Sequence, residues 1–329
     1  MKTITHSIFA LALIAGTPAA LAQAPATGSG QAYPNKPIRL VVGFTPGGGV
    51  DINARLLAPK LTEYLGQQVI VENRPGAGTN IANEHVAKSA PDGYTLLINT
   101  AAVAINMSLY KKVPYDTLRD FAAISIFSMS PNILVVHASV PAKNVKELIA
   151  LARSKPGGLN FSSAGSGTTQ HLSGELFKVR TKTDMVHVPY KGSAPSMTAL
   201  ISGEVSLSFA NIPAISGHVK SGRLRPIANL GPTRSAQLPD VPTMKEAGVS
   251  GVEVVVWYGV LAPANTPREI INALAGAIGK AAQAPDTRQR LLDQGAEPVG
   301  NSPEEFTKLL REEVTRWAEV VKVSGAKVD

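Results

Sequence analysis

GFTPGGGVDINAR, residues 43–55, sets three consecutive glycines between an apolar run and a segment with helical spacing. Glycine lets a chain turn freely and lets another molecule approach the backbone closely. The helix that follows would aim its unpaired first N–H groups into the same space. Upstream, 38–43 reads as a short buried strand. Downstream, Ile52, Leu56, Leu57, Leu61, Tyr64 and Leu65 recur at helical spacing, with Gly66 where a C′ glycine belongs and Pro59 as an expected kink. Strand, glycine turn, helix is the unit from which the fold is read.

The unit recurs along the chain. Strands are expected at 69–71 and 95–98 with a helix over 81–88 between them, then a strand at 133–136 and a helix over 145–153. Residues 159–162 lead into a second glycine loop, SSAGSGTTQHL (162–172), and a helix over 169–179. Further strands (185–188, 205–209, 226–230, 254–258) and helices (194–202, 268–283, 287–293, 303–323) follow. Strands alternating with helices imply α/β architecture with helix-flanked, mostly parallel sheets. In such sheets ligands gather at the carboxyl ends of the strands. Two blocks, each with its own glycine loop, point to two α/β domains; a single large doubly wound domain is the alternative at this length.

Composition narrows the function. MKTITHSIFALALIAGTPAALAQA, at the start, has one lysine before an apolar run over 8–16 and the small-residue pattern Ala20-Leu21-Ala22, as a secretory signal cleaved near Ala22 has. The run is too short to span a bilayer. Residues 23–32 read as a loose leader, so an exported mature chain of about 300 residues is expected, enough for two domains. With no cysteine there is no disulfide, thiolate nucleophile or zinc–thiolate site. His85, His137, His171, His187 and His218 do not pair at ligand spacing, so no metal site or other cofactor is expected. The formal charge is +8, or +7 without Lys2 (8 − 1), but the longest basic run is Lys111-Lys112 and aromatics are 5% of the chain, so no nucleic-acid groove is written here. A mildly basic surface suits small anions instead.

Neither glycine loop fits a nucleotide motif. Gly43 and Gly48 have phosphate-loop spacing, yet Gly49 and Val50 stand where lysine and a hydroxyl residue are needed. The dinucleotide fingerprint fails at Ile52 in the first loop and at Gln170 in the second. A nucleophile elbow around Ser166 fails at Ala164, which leaves only an unpatterned Ser166/His171 pair for an exported hydrolase. Both loops do share a strand, a glycine turn and a helix start at a capping type, Asp51 and Thr168. Main-chain donors at the positive end of a helix dipole favour a carboxylate without a lysine; tight packing with no ligand is the alternative.

With these segments in order, YPNKPIRLVVGFTPGGGVDINAR, GQQVIVENRPGAG, PDGYTLLI, LNFSSAGSGTTQHLSGELFK, VHVPYKGSAP and WYGVLAPANTP, the sequence resembles the periplasmic substrate-binding proteins of tripartite tricarboxylate transporters, the Bug family, over nearly all of the mature chain. The resemblance implies a two-domain clamshell, 33–129 plus 251–329 and 130–250, closing on a small carboxylate and delivering it to membrane permease subunits, as a monomer in the periplasm. It places Phe44, Thr45, Gly47, Gly48, Gly49 and Asp51 in a first ligand loop, with Thr100 and Ala101 nearby, the glycine amides holding a carboxylate partly through water. From the second domain it draws Ser163, Gly165, Ser166, Gly167, Thr168 and His171, then Tyr190, Lys191 and Gly192, with Asn211 and Trp257 as further candidates. Asp51 has helix capping, His171 a satisfied helix position, Lys191 a solvated turn and Trp257 the core as competing roles. Thr79-Asn80 departs from a further glycine that many relatives carry, in a turn rather than the pocket. Dicarboxylates, citrate-like acids, acidic amino acids and aromatic acids are all open as ligands, and sensing for a signalling protein is an alternative to transport.

Overall fold

The computed structural model describes residues 33–328; the signal segment and leader expected over 1–32 lie outside the described residues. β1 (Ile38–Val42) is buried except at Arg39 and pairs in parallel with β2 (Val69–Asn73) and β3 (Thr95–Asn99). Its IRLVV sequence suits a strand covered on both faces. α1 (Gly49–Leu65) continues through Pro59 and ends on Gly66 at φ 69°. The chain then adds α2 (Asn80–Ala87) after a single 3-10 turn at Ala77–Thr79, and α3 (Ala102–Leu109) after β3.

β4 (Phe121–His137) begins twelve residues before the strand expected at 133–136 (133 − 121). α4 (Val145–Ser154) starts on Asn144, whose side chain accepts from the Glu147 amide. β5 (Asn160–Ser163), α5 (Thr169–Thr181), β6 (Val186–Pro189), α6 (Ser193–Ser202), β7 (Leu207–Asn211), α7 (Ile212–Lys220) and β8 (Leu224–Asn229) form the middle block. The chain closes with β9 (Val255–Pro263), α8 (Arg268–Gln283), α9 (Pro285–Asp293), β10 (Glu297–Pro298) and α10 (Pro303–Ser324).

The strand order is β2-β1-β3-β9-β4-β7-β5-β6, with β8 and β10 each also paired to β4. The outer pairs β1·β2, β1·β3, β5·β6 and β5·β7 are parallel, as expected. The central pairs are antiparallel: β9 runs against both β3 and β4, and β4 against β7 and β8. β4 is shared by two half-sheets: Phe121 to Pro131 pair with β9, whereas Asn132 to Val136 pair with β7. Where it passes from one to the other, the Asn132 amide donates to Val254 O (3.4 Å), Leu230 N to Asn132 O (2.9 Å) and Val254 N to Leu230 O (2.8 Å).

α1 and α8 cover one face of the first half-sheet through Leu57, Leu61, Leu274 and Ile278, while α10 packs Phe306 and Trp317 against the other. α6 and α7 close a smaller core over β4, β7 and β8. In both halves a strand feeds a helix directly: β1 into α1, β3 into α3, β5 into α5, β6 into α6 and β7 into α7. The carboxyl ends of these strands, and hence the helix N-termini, face one region. That convergence positions the site.

Candidate functional site

The two glycine loops are the same turn built twice. In each, a glycine at φ +83° (Gly47, Gly167) precedes an extended N-cap residue: Gly48 at φ −85°, ψ 170° and Thr168 at φ −85°, ψ 158°. A side chain with a Cβ rarely holds that positive φ, which is why glycine stands at both positions. Each turn delivers a helix with its first N–H groups directed away from its own body. α1, α6 and α7 have no side-chain cap on their N-cap residues Gly48, Gly192 and Asn211, whereas Thr168 Oγ1 accepts from the His171 amide at 3.3 Å.

These N-termini meet at a small cavity of about 30 Å³ lined by Phe44, Gly48, Gly49, Val50, Thr100, Asn132, Ala164, Thr168, Thr169, Gln170, Ser193, Asn211, Val256 and Tyr258. No charged side chain stands in that lining among the described residues. Tyr258 is fully buried, and burial pushes its hydroxyl up to about 12, so it keeps its proton. Its oxygen accepts from Asn211 Nδ2 at 2.7 Å, which leaves its O–H to donate. Backbone N–H groups, a phenol and helix dipoles on a site without counter-charge are matched to an anion the size of one carboxylate.

A larger chamber of about 500 Å³ adjoins it, with Phe44 and Ala164 common to both linings. Its walls are Gly43, Thr45, the 75–79 turn, Tyr110 and Val328 on one side, and Gly165, Ser166 and the 189–192 turn on the other. Lys191 is the one charged side chain in that lining among the described residues. The two sides touch: Thr45 Oγ1 donates to Lys191 O at 2.9 Å.

Several expected ligand residues stand behind the cavities instead. Asp51 lines neither. It is 3% exposed and accepts from the Gly47 amide (2.9 Å), Arg55 Nε (2.9 Å) and Asn73 Nδ2 (2.9 Å), so it ties the first loop to α1 and β2 rather than capping the helix. Bonds from Arg55, Gly47 and Asn73 outweigh burial and hold its carboxyl below the usual range. His171 lies under the second loop, its Nδ1 accepting from the Gly167 amide at 3.3 Å, and its ring stacks on His187 with centroids 4.0 Å apart. His187 Nε2 in turn meets Ser163 Oγ at 2.7 Å. Burial depresses both imidazoles, to about 4 for His171 and about 3 for His187, with Lys178 adding to the effect on each and His171 to that on His187.

No hydrogen bond joins Ser166 to His171 among the described residues, so the pair has no base–nucleophile geometry. Gly167 packs beneath Asn106, and Ala101 is buried at the start of α3. Gly47 faces an outer groove beside Met197 and His218. Trp257 is core: it donates to Glu313 and packs edge-on against Phe306. Its neighbour Tyr258, on the opposite face of β9, is the cavity residue, and alternation of side chains along a strand is the signal that separates them. Asn132, Gln170 and Ser193 also line the small cavity unanticipated.

A family model described as "Tripartite tricarboxylate transporter family receptor" matches residues 53–326. The Bordetella pertussis protein BugT is 39% identical over 302 residues, covering 91% of this chain and 93% of its own. Among solved structures, a Rhodopseudomonas palustris protein with adipate superposes at TM-score 0.85 with 38% identity, covering 89% of this chain and 98% of its own. MatC from the same organism, with bound malate, gives 0.84 with 32% identity, covering 88% and 100%.

Proposed function

We propose, because this chain belongs to the tripartite tricarboxylate transporter family of receptors, that it captures a small organic carboxylate between its two half-sheets and hands it to membrane permease subunits. The observation that carries this reading is the convergence of α1, α6 and α7, none capped by its N-cap side chain, on a cavity without charged residues. One carboxylate sits in the small cavity, held by amides of both glycine loops and by Tyr258. The body of the ligand lies in the larger chamber against Phe44, Tyr110 and Tyr190, where Lys191 meets a second anionic group.

Hydrogen bonds to a charged group contribute about 1.5–3 kcal/mol each. Four or five therefore give roughly 6–15 kcal/mol gross, against the approximately 8 kcal/mol net of a micromolar receptor. Donors drawn from both half-sheets bind the closed arrangement better than an open one, which is the differential affinity that closure requires. In this reading 33–129 plus 251–329 and 130–250 move as the two lobes, and the protein works outside the cytoplasm after its signal is removed near Ala22. The adipate- and malate-bound relatives support the ligand class.

Thermal-shift screening of refolded, ligand-stripped protein against acids, amines and neutral sugars tests it, since a ligand that binds the folded state raises apparent stability. Upward shifts confined to carboxylates are expected. Shifts with sugars or amines and none with any acid would remove the reading.

A further inference from the structure

We propose that the small cavity recognises a 2-hydroxycarboxylate: an acid bearing a neutral hydrogen-bond donor on the carbon beside its carboxyl group. The inference rests on the carboxylate reading above and narrows it. Two buried acceptors carry it. Asn132 Oδ1 and Asn211 Oδ1 have no hydrogen-bond partner, on residues 0% and 5% exposed, and both residues line the cavity. Their amide nitrogens are already engaged, Asn132 Nδ2 with Ser173 Oγ (3.3 Å) and Asn211 Nδ2 with Tyr258 OH (2.7 Å), which leaves each carbonyl oxygen as the unpaired end of a cavity-lining side chain.

Buried polar groups are rarely left unpaired, because each unmet acceptor carries a desolvation penalty. A carboxylate offers only acceptors and cannot meet this one. The donor must therefore come from a substituent next to the carboxylate. With the carboxylate already taking up a space of about 30 Å³, that substituent is limited to roughly one heavy atom.

Charge then separates a hydroxyl from an ammonium. No acid lines the cavity, and Asp51, the acid of the first loop, is committed to Gly47, Arg55 and Asn73. The N-termini of α1, α5, α6 and α7 place partial positive charge around the site, which favours the carboxylate and opposes an ammonium. A hydroxyl, with its single proton, satisfies one of the two asparagine oxygens at no electrostatic cost.

The test is calorimetry on ligand-stripped protein with matched acids on three skeletons: succinate, malate and aspartate; adipate, 2-hydroxyadipate and 2-aminoadipate; phenylacetate, mandelate and phenylglycine. On each skeleton that binds, the hydroxy acid is expected to bind at least tenfold tighter than the unsubstituted acid and tighter than the amino acid. Asn211→Leu removes one acceptor at similar size, and the hydroxy-to-unsubstituted ratio should fall to within about threefold; Asn211→Ala reads the same ratio if the leucine variant misfolds. Equal affinity for hydroxy and unsubstituted acids overturns the inference and leaves the carboxylate reading standing; it is the result expected if a trapped water serves the asparagines or if their amides present donors. Tightest binding of the amino acids overturns it too. Failure of all nine acids within a wider carboxylate panel that also fails removes both.

Discussion

Gly48 and Gly49 are neighbours in one turn, yet only one has room for a side chain. A Cβ on Gly49 would lie 2.3 Å from Asn211 Nδ2 and 2.7 Å from the Tyr258 hydroxyl, whereas one on Gly48 would meet nothing closer than Ser193 Oγ at 3.5 Å. Gly49→Ala should therefore weaken carboxylate binding by about tenfold or more (about 1.4 kcal/mol), and Gly48→Ala by much less; calorimetry on both variants, checked for folding, decides it. Burial of the His171–His187 stack gives a second outcome at this scale. Both imidazoles have folded values below the unfolded 6.5. The unfolded chain thus binds more protons, and stability present above pH 6.5 is lost as pH falls toward 4. His171 alone contributes a loss of about 2 kcal/mol by pH 5. Urea midpoints at pH 7 and pH 5 should converge in His171→Gln relative to the parent. Residue types at the site were legible as glycines, hydroxyls and a tyrosine-lysine turn; which way each points was not. Asp51 and His171 stand in the two glycine-loop segments, but their polar atoms serve the loops' own amides.

At the scale of elements, Asp51 is the joint between the first loop, α1 and β2 through Gly47, Arg55 and Asn73. Asp51→Ala leaves those donors without their partner, at about 1–3 kcal/mol of stability. It should also lower ligand affinity without touching the ligand, and speed amide hydrogen exchange over residues 44–49; unchanged exchange there would show that Asp51 does not hold the loop. Most helices and strands were readable because apolar residues recur at their periods. Three were not. α3, AVAINMSL, has six of its eight residues buried, so no polar face marks its period. α7 is short and carries Pro213 and Gly217, both breakers by local preference. The first two-thirds of β4 run through FAAISIFSMSP, whose burial on both faces erases alternation and whose Pro131 reads as a stop.

For the whole molecule, the two sides of the cleft are already bridged: Thr45 meets Lys191 across the mouth and Asn211 meets Tyr258 across the floor. In the proposed closure, Thr45→Val removes a bond that only the shut cleft offers. A loss of about threefold to tenfold in affinity is expected from one neutral hydrogen bond, with a faster ligand off-rate in stopped flow and a little-changed on-rate. Two blocks with a glycine loop each were visible in the sequence. That the loops would face one another depends on β4 and β9, whose long antiparallel pairing leaves no short motif to read.

The place where β4 changes sheets has a consequence for what the chain tolerates. Asn132, Leu230 and Val254 are laced together there, so the outgoing and returning segments are tied edge to edge where the chain passes between the half-sheets. Adding or deleting one residue at Pro131 would also reverse the faces of everything from Ile133 to Val136, turning core side chains toward the wrong layer. Length variation among homologous chains should therefore gather in surface turns and spare this tract.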